Sequence, residues 1–128
     1  MSGITTLALL IIALCPGAEA QQNLGYGKPS TATETSHIFK TAGGLLYDLQ
    51  VNSTTSAGWV LLVDSATVPA TGAVVPIKFY QIATQSTIGI SWLPSALQFF
   101  SGITALCSTT GPFTFTATST CTFSGETQ

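Results

Sequence analysis

Phe113-Thr114-Phe115-Thr116-Ala117-Thr118-Ser119-Thr120-Cys121-Thr122-Phe123 is the stretch whose reading decides the fold. Thr recurs at every second position from Thr114 to Thr122, with Phe, Ala, Ser or Cys between. A period of two puts alternate side chains on opposite faces of a strand. β-branched Thr suits an exposed strand face. The pattern predicts one strand over 112–123 with a continuous Thr face, entered by a hairpin turn at Gly111-Pro112.

The same period appears upstream. Leu45, Tyr47, Leu49 and Val51 share one expected face, with Leu46, Asp48 and Gln50 on the other. Gly58-Trp59-Val60-Leu61-Leu62-Val63 is apolar on both parities, which predicts a central strand covered on both faces. Asp64-Ser65-Ala66 ends it, and Pro69 and Gly72 mark a loop. Further short apolar runs over 36–41, 74–83, 86–92 and 97–107 predict strands, and no stretch keeps a helical period. Pro76 cannot donate to a ladder, so its strand starts after it, bulges there or lies at an edge. There is no internal repeat. The chain reads as all-β, an antiparallel β-sandwich in one domain over 36–128. Residues 21–35, with Gly25, Gly27 and Pro29, read as a polar linker. At 128 residues the chain can bury a core without metal or many disulfides.

At the N-terminus, Leu7-Ala8-Leu9-Leu10-Ile11-Ile12-Ala13-Leu14-Cys15 precedes Pro16-Gly17 and Ala18-Glu19-Ala20. A short apolar run, a helix breaker and a small-x-small triplet are the parts of a secretory signal peptide. The run falls short of the about 20 apolar residues that span a bilayer. Residues 1–20 are thus expected to be a signal peptide that meets a membrane only transiently. The alternative is an apolar arm kept in the mature protein. Acylation of Cys15 is disfavoured by Leu14 before it and Pro16 after it.

From Gln21 onward there is no Arg, His37 is the single His, and Lys28, Lys40 and Lys78 are the cations. The acids are Glu34, Asp48, Asp64 and Glu126. A net charge of −2 gives no basis for neutralising phosphates, which excludes nucleic acid as an expected partner. Low charge also leaves little repulsion against self-association, a pointer to a homo-oligomer or an assembly subunit.

Catalytic schemes lack residues. A Ser-His-Asp site would have to use His37, and there is no Gly-x-Ser-x-Gly elbow. A paired-carboxylate glycosidase would draw on Glu34, Asp48, Asp64 or Glu126, with no Arg to hold a sugar. No catalytic, cofactor-binding or metal-binding residue is expected, and no cofactor: metal-ligand spacing is missing from the sequence. A glycan partner would need an exposed aromatic. Trp59, inside the most apolar strand, reads as core. Trp92, just before Leu93-Pro94, is the better surface candidate, beside Tyr26, Tyr47 and Tyr80, although core packing is favoured for both Trp residues. Asn52-Ser53-Thr54 matches a glycosylation sequon.

Cys107 and Cys121 remain once residues 1–20 are removed. An even pair in an exported chain invites a disulfide. In a simple hairpin turning at Thr110-Gly111 the two would sit more than roughly 20 Å apart along the strands, and a bridge needs Cα atoms within about 7 Å. Either the last strand bends or breaks and the pair bonds, or both are buried thiols acting as small apolar residues.

The order Gly-Trp-Val-Leu-Leu-Val-Asp (58–64), Val68-Pro69, Gly72, Val75-Pro76, Ile88-Gly89-Ile90, Phe100-Ser101-Gly102-Ile103 and Ser108-Thr109-Thr110-Gly111-Pro112-Phe113-Thr114 resembles small β-rich proteins encoded among bacteriophage structural genes, the minor virion or decoration-type components. It covers about half the chain, Gly58 to Phe123. The Ser108–Thr114 block is its most specific part and is a turn signature, not a chemical site. The resemblance implies a jelly-roll-like or Ig-like sandwich and a non-enzymatic role in the virion. Its partners would be other virion proteins or the chain itself. The resemblance transfers no functional residue. The alternative is an exported glycan- or protein-binding module of a cell, secreted or periplasmic after signal cleavage. The surfaces in either case are the Thr-rich strands and the loops at 52–57, 65–73 and 93–96.

Intact mass of the protein from its native source tests the N-terminal reading. A chain starting at Gln21 is expected, and one starting at Met1 or Ser2 removes the signal peptide.

Overall fold

The computed structural model describes residues 25–26, 28–117 and 120–128. The expected signal peptide, with Cys15, lies outside the described residues. Eleven strands, paired antiparallel, make up the described chain, with no helix. In the first sheet, β11 (Cys121–Thr127) lies between β1 (Gly25–Tyr26) and β3 (Gly44–Ser53). The other side of β3 takes β7 (Thr87–Ser91) and, further along, β8 (Leu97–Phe99). The second sheet runs β2 (Ser36–Lys40), β9 (Ile103–Ser108), β4 (Gly58–Asp64), β6 (Lys78–Ile82). A third, small sheet pairs β5 (Gly72–Ala73) with β10 (Thr114–Phe115).

β4 is buried on both faces, as its sequence predicts. Val60 and Leu62 join a cluster that also takes Leu49 and Val51 from β3 and Phe123 from β11, so the first two sheets share one core. Leu61 and Val63 point the other way, where Leu106, Val74 and Phe115 enclose them. β5 and β10 deliver Val74 and Phe115, and the Val74 N–H donates to the Phe113 carbonyl at 3.0 Å. The third sheet is thus a lid over the outer face of the second. Each buried Leu or Phe contributes about 1.5–3 kcal/mol of apolar burial.

The continuous strand expected over 112–123 is broken. β10 stops at Phe115 and pairs with Gly72 and Ala73, while β11 begins at Cys121 and joins the first sheet. Thr114 and Thr122 therefore belong to different sheets, and the single Thr face does not form. The turn at Gly111 does form, with a bridge from Gly111 to Thr114. The strand after it cannot pair back as a hairpin, because β9 already has β2 on one side and β4 on the other. The break carries Cys121 over to face Cys107 of β9. The two form a disulfide that ties the first sheet to the second, with Cα atoms 6.5 Å apart.

Two other expected strands change. The run 97–107 divides: β8 belongs to the first sheet and β9 to the second, and the chain crosses between them at Phe100–Gly102. The run 74–83 shortens to β6, which starts after Pro76 and is an edge of its sheet. In β3, Leu46, Leu49 and Val51 are buried instead of Leu45 and Tyr47. The register explains it. Asp48 pairs with Glu126 and Leu46 with Thr127, which leaves Tyr47 as one extra residue. Such a bulge reverses the parity of everything before it.

The stretch read as a linker is bound along its described length. Gly25 and Tyr26 pair with β11, the Ser30 N–H donates to the Phe123 carbonyl at 2.8 Å, and Glu34 exchanges two backbone hydrogen bonds with Cys121.

The disulfide closes a loop with a sequence separation of 14, and a loop of about 15 residues is worth about 3 kcal/mol through the unfolded chain. The paired substitution Cys107→Ser with Cys121→Ser is expected to lower unfolding free energy by about 2–4 kcal/mol in urea titrations. A loss under about 0.5 kcal/mol would show that the chain is held without it.

Candidate functional site

The one His and its nearest acid do meet. His37 Nδ1 donates to Glu34 Oε1 at 2.5 Å, and His37 Nε2 faces the Lys28 carbonyl oxygen at 2.5 Å. Ser30 Oγ donates to the same Glu34 oxygen at 2.6 Å and accepts from the Phe123 N–H at 2.9 Å. A Ser, a His and an acid are thus adjacent. Their order is Ser–Glu–His, however, and not the Ser–His–acid order in which the imidazole takes the hydroxyl proton. The imidazole also stacks on Phe123 with ring centres 6.0 Å apart and meets the edge of Phe39 at 4.6 Å. The cluster works as a clasp that pins the 28–35 segment across β11.

Of the other acids, Asp64 stands apart, while Asp48 and Glu126 are neighbours across β3 and β11. Asp64, at the end of β4, accepts the N–H groups of Phe100 (3.0 Å), Ser101 (2.7 Å) and Gly102 (3.3 Å). The Ser101 N–H does most to hold its carboxyl below the usual range; burial opposes that, and Phe100 and Gly102 add to it. Asp64 therefore fastens the crossing from β8 to β9. Gly102 lets that crossing sit close, since a Cβ there would lie 2.5 Å from the Ser65 carbonyl oxygen. Asp48 is on the first sheet and pairs in register with Glu126, whose N–H it accepts at 3.0 Å. The structure thus brings Asp48 to Glu126 and not to Asp64.

Trp92 is half-buried against the shared core, as is Tyr80. Burial raises the Tyr80 phenol, and a hydrogen bond from Trp92 works in the opposite direction. Trp92, the better surface candidate of the two Trp residues, thus packs in part against the core and keeps part of its surface open. Trp59, expected in the core, is half-buried at the rim of the second cluster. There it meets Phe79 edge-on at 5.9 Å, and Phe79 meets Phe113 at 5.5 Å. Phe79 is 43% exposed, Phe113 58% and nearby-in-sequence Val75 89%. Sequence reading missed this aromatic row, because alternation does not reveal which residues the lid leaves uncovered.

The outward face of the first sheet is polar. Asn52, Gln50 and Asp48 of β3 pair with Thr122, Ser124 and Glu126 of β11 on one side and with Thr87, Gly89 and Ser91 of β7 on the other. Asn52 donates to Thr122 and accepts from Thr87. A shallow depression of about 300 Å³ lies on this face, bordered by Asp48, Gln50, Gly89, Ser91 and Ser124. Among the described residues no group of three or more His, Cys, Asp or Glu side chains could hold a metal.

The fold and site define an all-β protein of antiparallel sheets with one inter-sheet cystine. Comparisons with protein families, curated proteins and solved structures found no match to this chain.

Asp64 supplies a pH test. Its carboxyl is lowered in the fold, so its contribution is full above the unfolded value near about 4 and is lost as pH falls through the folded one. Asp64→Asn is expected to reduce stability at pH 7, with the gap to the parent narrowing below about pH 4. A gap independent of pH would remove the carboxylate from that role.

Proposed function

We propose that the first two sheets pack as a jelly-roll β-sandwich and that the chain is a non-enzymatic structural protein of a phage particle, a minor virion or decoration-type component. The observation that carries the fold is strand order. One sheet reads β1-β11-β3-β7 and the other β2-β9-β4-β6. In sequence, β1, β3, β7 and β11 fall in the first and β2, β4, β6 and β9 in the second, the connectivity of two interleaved Greek keys. Jelly rolls of this kind serve as capsid and lectin domains.

Fold alone does not give function. Support for the particle role comes from the resemblance of residues 58–123 to phage structural proteins and from the exposed apolar flank of Val75, Phe79 and Phe113. Exposed apolar groups on a chain of such low charge favour protein–protein association over solvation. The partners are other virion proteins or further copies of the chain, and the location is the virion.

A second reading is an exported glycan-binding module, supported by the depression beside Gly89, where Gln50, Ser91 and Ser124 meet Leu49 and Ile90. Quantitative mass spectrometry of purified particles separates the two. The virion role requires the chain at a fixed copy number per particle. Its absence from particles, with glycan-array binding that Gln50→Ala abolishes, would replace the first reading by the second.

A further inference from the structure

We propose that β7 is a dimerisation edge, at which a second copy of this chain adds antiparallel, β7 against β7, about a two-fold axis at Gly89. This rests on the association reading above and names its surface.

An open strand edge offers unpaired N–H and C=O groups to another chain, and proteins blunt such edges with Pro, Lys, bulges or short length. Among the described residues the other outer strands of the two large sheets are blunted or short, including β8 beside β3 with three residues. β6 carries Lys78 and follows Pro76 closely. β2 ends in Lys40 and has a register shift between Ile38 and Lys40. β1 has two described residues. β7 has five residues, Thr87-Ile88-Gly89-Ile90-Ser91, with no charge, no Pro and no register shift against β3.

Hydrogen-bond parity shows what this edge presents. The Trp92 N–H donates to the Tyr47 carbonyl, and the Ser53 N–H to the Ser86 carbonyl. Bonded pairs alternate along an antiparallel ladder. Ile88 and Ile90 therefore spend their backbone groups on β3, and Thr87, Gly89 and Ser91 point theirs outward. All three are exposed.

The edge is self-complementary. Hydroxyl, Ile, Gly, Ile, hydroxyl reads the same in both directions. Laid antiparallel on a copy of itself, Gly89 exchanges two hydrogen bonds with Gly89 of the second copy, and Thr87 pairs with its Ser91. Ile88 falls opposite Ile90 of the second copy. Both are only partly buried against the shared core, so pairing would bury them further. A two-fold interface needs this property, since each patch must match itself. The backbone groups alone would suit any strand; the two-fold match of the side chains is what selects a second copy.

The full 128-residue chain is tested by sedimentation equilibrium up to about 1 mM, a range that reveals weak contacts. A Cβ at Gly89 meets nothing within 4 Å, so Gly89→Lys leaves the protomer intact. It sets two like charges face to face across the axis. Dimer dissociation is expected to rise about fivefold or more for Gly89→Lys and for Gly89→Glu, and to recover when the two variants are mixed. Denaturation midpoints of both variants confirm folding. A parent chain that stays monomeric, a Gly89→Lys dimer as tight as the parent, or a dimer weakened instead by Gln81→Lys on β6 would each overturn the proposal. A monomer found in particles at fixed copy number overturns the dimer alone. A β7 dimer absent from particles overturns the particle role alone.

Discussion

β4 has to be dry on both faces, and much of the structure follows from that. Four consecutive apolar residues, Val60 to Val63, cannot be satisfied by one covering layer. Val60 and Leu62 require the first sheet. Leu61 and Val63 require something else, and the chain supplies it from two distant segments, 72–74 and 113–115. That second demand takes β10 away from the ladders of the large sheets. Once β10 is committed to the lid, the chain must cross to the first sheet to place β11, and this crossing puts Cys121 opposite Cys107. The cystine is a consequence of the lid as well as a staple between sheets.

With few charges available, Asp64, Asp48 and Glu34 are used to settle backbone, hydroxyl and imidazole groups. Asp64 accepts three amides at the β8–β9 crossing, Asp48 accepts the Glu126 amide at the bulge, and Glu34 accepts Ser30 and His37. Among the described residues the one close contact between a basic and an acidic side chain is His37 with Glu34. Hydroxyls do similar work. Ser108 is buried, donating to the Thr114 carbonyl at 2.5 Å and accepting the Thr116 N–H at 3.0 Å, which fixes the turn that launches the lid. Such groups stabilise because an unpaired buried polar atom is costly; among the described residues no buried side-chain N or O is left unpaired. Ionisable groups spent in this way are positioned for architecture.

The same economy shapes the surface. The second sheet is guarded at both edges by Lys and, at β6, by Pro. The first sheet has a polar outer face and an unguarded β7. Exposed aromatic groups meet where the lid ends, at Phe79 of the second sheet and Phe113 beside β10. Two chemically distinct surfaces therefore coexist: a flat hydroxyl and amide face with an open edge, and an aromatic rim. An assembly protein can use such a division to keep contacts with its own copies apart from contacts with others.

The sequence by itself determined the strand-rich class, the doubly covered β4, a break or edge at Pro76 and the scarcity of ionisable groups. Each depends on local composition or a period of two. The tertiary structure alone decided the rest. Alternation at 45–51 assigned Leu45 and Tyr47 inward; the extra residue at Tyr47 reversed that, since a bulge depends on the partner strand. Alternation at 113–123 gave one strand; the ladder had no vacancy beside β9, so the segment split between lid and sheet. Of the candidate site, His37 and the acids were identifiable by type, but their order, Ser–Glu–His in place of Ser–His–acid, came from the packing of residues 28–35 on β11. Periodicity reports which way a side chain points relative to its neighbours along the chain. Which strands have free edges, and so which residues meet, is settled only when all the ladders are filled.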